Sequence, residues 1–156
     1  MPKILFVCTG NTCRSPMAAA IAAEMFKDAG CAFVSRGISV PVPSRASENA
    51  VVAARAAAAA NISEHVSRQI KADDLRGADL VVTMTRSHKS YLLEIFDEAR
   101  DKTLTLYEIA EGSPKDVKDP YGQDVYAYRL CAGEIKSCLD SGPFRAKLIS
   151  LGEVKP

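Results

Sequence analysis

The stretch KILFVCTGNTCRSPMA, residues 3–18, constrains the fold more than any other. KILFV is a short apolar run rich in branched residues, the pattern of a strand buried on both faces. A polar loop from Cys8 to Arg14 follows, with Gly10 inside it. Ser15 is a candidate helix cap and Pro16 suits a first helical position. The alanine-rich run after them reads as a helix that Gly30 ends. A strand running through a glycine-containing loop into a helix N-terminus is how an α/β sheet builds a ligand site at the carboxyl end of a strand.

The alternation continues along the chain. Strands are expected at 31–37, 78–85 and 102–110, and helices at 47–62, 87–99 and 124–140. Residues 39–46 and 111–123, rich in proline and polar residues, read as loops. Ser141-Gly142-Pro143 should break the last long helix, and 144–151 should form a short terminal one. The pattern predicts an α/β fold: a four-stranded parallel sheet with helices on both faces and a phosphate-binding loop after the first strand. A length of 156 residues fits one domain, 1–156.

Net charge is +1, so no strong global field recruits nucleic acid or anionic lipid. No apolar run is long enough for a membrane span, and the expected location is cytoplasmic. Five cysteines, at 8, 13, 31, 131 and 138, form no Cys-x-x-Cys pair, and there are two histidines. A disulfide framework and a zinc site are both disfavoured. Cys131 and Cys138 share a helix face and read as small core residues.

The opening loop has the parts of an anion cradle. Backbone N–H groups and the helix dipole point inward, and Arg14 adds a planar fork suited to two phosphate oxygens. The same groups favour the Cys8 thiolate, whose pKa is expected to fall. A thiolate beneath a bound phosphoryl group is a nucleophile aimed at phosphorus. A Walker-type nucleotide loop is excluded, because no Gly-Lys-Ser/Thr follows the strand. The leaving group needs a proton, and KDPYG at 118–122 offers Asp119, held extended by Pro120, with Tyr121 as an aromatic wall. An ordinary turn accounts for Asp-Pro equally well. The spacing of Cys8 and Arg14 is by itself a weak signal.

VCTGNTCRSP at 7–16 and DPYG at 119–122 together resemble the low-molecular-weight protein tyrosine phosphatases. SRG at 35–37, HVSRQI at 65–70 and ADLVVTMTRSHK at 78–89 also fall in that family's order, so the resemblance covers 3–140. It implies Cys8 as nucleophile, Arg14 as phosphate clamp, and Asp119 as general acid and then base. Thr9, Gly10, Asn11, Thr12, Cys13, Arg14 and Ser15 would bind phosphate. Asn11 would hold the loop's turn, Ser15 would donate to the thiolate, and His65 would join their network. Cys13 matches the cysteine that can protect the nucleophile through a Cys8–Cys13 disulfide. Substrates would be phosphorylated proteins and the product inorganic phosphate, with no cofactor, metal, nucleic acid or membrane involved.

Two positions depart from the family. Ala19 replaces a common Glu and is expected on the helix surface; Arg36 stands in a Ser-Ala-Gly position and is expected near the mouth. Thr12 stands where the tyrosine phosphatases carry Ile or Leu, and the bacterial protein-arginine-phosphatase branch carries Thr. Phosphoarginine is therefore the favoured substrate and phosphotyrosine the alternative, with Thr12 and Tyr121 as specificity residues. A thioredoxin-coupled arsenate reductase is a distant third, since VVTMTRSHKS at 81–90 lacks the relay cysteines.

Overall fold

The first strand, β1 (Lys3–Cys8), is buried on both sides, and its side chains alternate between two cores. Ile4, Phe6 and Cys8 face one cluster, and Leu5 and Val7 the other. The computed structural model describes residues 1–152. The expected domain, 1–156, ends with 153–156, which lie outside the described residues.

β1 sits in a four-stranded parallel sheet of order β2-β1-β3-β4, with β2 at Ala32–Gly37, β3 at Leu80–Thr83 and β4 at Thr103–Thr105. The chain leaves β1 for β2 on one side and returns to β3 on the other, so the order reverses beside the carboxyl end of β1. Cys8 ends the strand there, opposite Gly37.

Helices α1 (Arg14–Met25), α2 (Glu48–Ala58), α6 (Val125–Leu139) and α7 (Gly142–Ser150) feed the larger core. Small residues Ala50, Ala53 and Ala54 let α2 pack closely on α6. Cys131 and Cys138 lie on the buried face of α6, and burial pushes their thiols up to about 12 and about 11. Leu75 of α3 (Ala72–Gly77) and Leu92 of α4 (Arg86–Ile95) pack on the opposite face. Among the described residues no helix is long and apolar enough to cross a membrane.

Four local expectations change. The strand expected at 102–110 stops at Thr105, and Leu106–Glu111 is a helix, α5. Thr105 and Glu108 form a reciprocal capping box, and Gly112 closes the helix at φ 64°. The short helix α3, where Asp74 caps the backbone N–H of Lys71 at 2.9 Å, has no counterpart in the expected pattern. Helix α1 ends at Met25 rather than Gly30, and its N-cap is Cys13 rather than Ser15. Ser141 caps α7, accepting from the Phe144 N–H at 3.2 Å, so the expected helix break is also a helix start.

Candidate active site

Residues 8–14, with Asp119 and Tyr121, line a cavity of about 210 Å³ at the carboxyl end of β1. Two anchors tie the loop to the segment that follows β2: Ile38 N–H donates to Cys8 O and Ser39 N–H to Thr9 O, both at 3.0 Å. Gly37 permits this approach. A Cβ there would lie 2.7 Å from Thr9 O and 2.6 Å from Val40 Cγ2.

Asn11 turns the loop. It adopts φ 57° and is fully buried, a conformation asparagine tolerates when its side chain is bonded locally. Its Nδ2 donates to Ser15 Oγ at 2.8 Å and Ser35 Oγ at 2.9 Å, and its Oδ1 accepts from Arg68 N–H at 3.0 Å. His65 Nε2 lies 2.7 Å from Asn11 O, so this nitrogen carries the proton. Burial holds His65 below its ordinary pKa, and it serves as a neutral donor.

Cys8 Sγ lies 2.9 Å from Ser15 Oγ. Ser15 Oγ already accepts from Asn11, which leaves its own proton for Cys8 Sγ, a shorter contact than the 3.4 Å to Arg36 O. Burial nevertheless pushes the Cys8 thiol up, against the Ser15 hydroxyl, the Ser15 N–H, Arg14 and the Asn11 N–H. This corrects the expected depression: the lowering groups are in place, but Cys8 is only 3 % exposed and desolvation outweighs them.

Removing the Ser15 hydroxyl removes one lowering influence. Cys8 should then rise further, so less of it is thiolate at any given pH. In Ser15→Ala, iodoacetate should alkylate Cys8 about tenfold more slowly at neutral pH, and the pH–rate profile should move to higher pH. An unmoved profile would take Ser15 out of thiolate stabilisation.

Arg14 is 5 % exposed. Its Nη1 donates to Val117 O at 2.9 Å, and its Nη2 lies 3.5 Å from Asp119 Oδ2. The carboxylate is half exposed, and its Oδ1 accepts from Tyr121 N–H at 3.1 Å. Tyr121 itself is 73 % exposed, a wall at the cavity mouth. Thr12 is half-buried, with Oγ1 3.7 Å from Cys13 Sγ. Cys13 is a buried free thiol within reach of Ser47 Oγ at 3.1 Å and Tyr128 OH at 3.4 Å.

Two of the departures read from the sequence sit elsewhere than expected. Ala19 is buried, on the α1 face turned inward. Arg36 does not line the loop cavity: its Nε donates to Asp74 Oδ1 at 3.1 Å and its Nη1 to Ser35 O at 2.7 Å. Both line a separate groove of about 470 Å³ that holds none of Cys8, Arg14 and Asp119. Sequence reasoning missed Ser35, Arg68 and the Val117 carbonyl as supports of the loop. It also missed His88, whose Nε2 lies 2.9 Å from Thr9 Oγ1.

The loop gathers the Asn11 and Ser15 N–H groups around the Cys8 thiol, and a buried guanidinium and a half-exposed carboxylate line the same small cavity. Such a site can hold a tetrahedral anion and attack its central atom from below. Comparison with known proteins points the same way. The low molecular weight phosphotyrosine protein phosphatase family matches residues 3–141. The protein-arginine-phosphatase of Geobacillus stearothermophilus is 40% identical over 140 residues, covering 88% of this chain and 91% of that protein. A low molecular weight protein tyrosine phosphatase from T. tengcongensis superposes with a TM-score of 0.87 at 38% identity, covering 94% of this chain and 99% of the other. A cysteine-to-serine mutant of the YwlE arginine phosphatase, solved with a phosphorylated active-site serine, has a TM-score of 0.84 at 35% identity, covering 93% and 95%.

Proposed function

Because the chain belongs to the low molecular weight phosphotyrosine protein phosphatase family, we propose that it dephosphorylates proteins through a phosphocysteine on Cys8, with phosphoarginine as its preferred substrate. The observation that carries the substrate assignment is Thr12, half-buried and lining the loop cavity. The likeness to an arginine phosphatase at 40% identity supports it.

Residues 9–15 cradle the phosphoryl group, and Arg14 grips two of its oxygens. Cys8 gives up its proton to solvent and attacks phosphorus as the thiolate, which the Ser15 hydroxyl, the Ser15 and Asn11 N–H groups and Arg14 stabilise, and the P–N bond breaks. The electron pair goes to the leaving guanidine nitrogen, and Asp119 supplies its proton. Asp119 then takes a proton from water, the water oxygen attacks phosphorus, and the S–P bond breaks. Inorganic phosphate leaves and the thiolate returns. Arg14 and the loop N–H groups supply the positive field, so the scheme calls for no metal or cofactor. The nucleophile must stay reduced, which fits a cytoplasmic setting, and a Cys8–Cys13 disulfide would protect it against further oxidation. The substrates are phosphorylated proteins; nucleic acid and membrane have no part in the scheme.

Phosphotyrosine is the second reading, favoured by the exposed Tyr121 ring at the mouth. The two separate at Thr12. A guanidinium brings N–H donors that a threonine oxygen accepts and an isoleucine leaves unpaired, a loss of about 1–3 kcal/mol. Thr12→Ile should lower kcat/KM on a phosphoarginine peptide by roughly tenfold to a hundredfold and preserve or raise it on a phosphotyrosine peptide. A substrate ratio that does not move would remove Thr12 as selector and make phosphotyrosine the default.

A further inference from the structure

His88 stands outside the phosphate loop but touches it. It lies in the first turn of α4, 3 % exposed, where its backbone N–H donates to Thr85 Oγ1 at 3.1 Å. Its Nε2 is 2.9 Å from the hydroxyl of Thr9, the residue that follows Cys8. Its Nδ1 is buried with no hydrogen-bond partner. A buried ring nitrogen left unpaired beside a binding loop calls for an explanation.

The ring's protonation follows from its surroundings. Burial and then Arg14 pull its pKa down to about 4, with Asp116 and Asp119 opposing, so the imidazole is neutral near pH 7. A neutral ring carries one proton. Placed on Nδ1, it would be a buried donor with no acceptor, the rarer and costlier orphan. Placed on Nε2, it donates to Thr9 Oγ1 and leaves only a bare lone pair on Nδ1. Thr9 Oγ1 then accepts from His88, so the threonine's own proton turns elsewhere. Thr9 is exposed and lines the loop cavity.

We infer that His88 is a positioning residue that aims the Thr9 hydroxyl proton at the phosphoryl group, adding one side-chain donor to the backbone cradle. This rests on the reading of residues 9–15 as a phosphate site. A histidine carried by α4 thereby tunes a loop that is also supported from β2, the 38–39 and 61–70 segments and Val117.

The test is an NMR titration of the protein with inorganic phosphate, beside kcat/KM on a phosphorylated peptide and thermal unfolding. Thr9→Val and His88→Phe should each weaken phosphate binding by about tenfold. The double variant should be no weaker than either single one, because both remove the same donor. His88→Gln, whose amide nitrogen takes the place of Nε2, should stay within about threefold of the parent, whereas His88→Asn, which falls short of Thr9, should lose about tenfold. If His88→Phe does not fold, the Gln and Asn pair decides. Equal affinities in that pair, or additive losses in the double variant, would overturn the inference while leaving the phosphate site intact. A parent protein that binds no phosphate would overturn both.

Discussion

Cys8→Ser is expected to lower turnover of any phosphorylated substrate by more than ~10⁴-fold while phosphate affinity stays within about threefold. A serine hydroxyl ionises far less readily than a thiol, and any phosphoserine it formed would stall, because an alkoxide is a much poorer leaving group than a thiolate. Asp119 sits at the mouth, on the leaving-group side, half exposed and 3.5 Å from Arg14. The binding groups do not depend on sulfur. Arg14 is held by the Val117 carbonyl, and the loop by Asn11 with Ser35, His65 and Arg68. Rate and affinity should therefore separate. Turnover in the Ser variant within tenfold of the parent would rule out nucleophilic attack by Cys8.

The second large effect is expected at Asp119, and it should depend on the leaving group. A guanidine released without a proton is a very poor leaving group, since guanidinium ionises only above about 12. A phenol ionises near 10, and more acidic aryl leaving groups depart with little help. Asp119→Ala should thus lower kcat on a phosphoarginine peptide by about 10²- to 10⁴-fold, with a smaller loss on an activated aryl phosphate. In the structure Asp119 is tied to Arg14 and to the N–H of Tyr121, two residues from it. A bound phosphoryl group would take Arg14's fork and leave the carboxyl to the leaving group. Equal losses on both substrates would make Asp119 a substrate-positioning residue instead of an acid.

The parts of this site that could be read from the sequence lie within one short stretch. Cys8, Arg14 and Ser15 sit between a buried strand and a helix, and the strand–loop–helix order itself carries the information. What supports that stretch arrives from far along the chain. Ser35 reaches Asn11 from 24 residues away, Arg68 from 57, His88 reaches Thr9 from 79, and Val117 reaches Arg14 from 103. Periodicity in a single sequence holds no trace of such pairs; the sheet order creates them. The Cys8 thiol illustrates the same limit. Charge and helix dipole can be read from residue types, but the burial that pushes this thiol up depends on the whole fold around it.

Local signals also mislead where two compete. Lys102 to Ala110 is rich in branched and aromatic residues and reads as one strand, yet Thr105 and Glu108 carry the Thr-x-x-Glu capping signature. The cap prevails because the six residues of α5 bury Leu106 and Ile109 in the core. Arg36 follows a different logic. Alternation along β2 sends Ser35 toward Asn11 and Arg36 toward Asp74 on α3, a helix the sequence pattern did not reveal.

Phosphate is expected to pass through Cys8 on its way from substrate to solvent. The direct measurement is a single-turnover reaction with a peptide carrying ³²P-phosphoarginine, quenched within milliseconds and digested at neutral pH. The label should appear on the peptide containing Cys8, rise before inorganic phosphate is released, and persist longer in Asp119→Ala. Labelled inorganic phosphate formed with no protein-bound label at any time, or label on a peptide lacking Cys8, would exclude a phosphocysteine on Cys8.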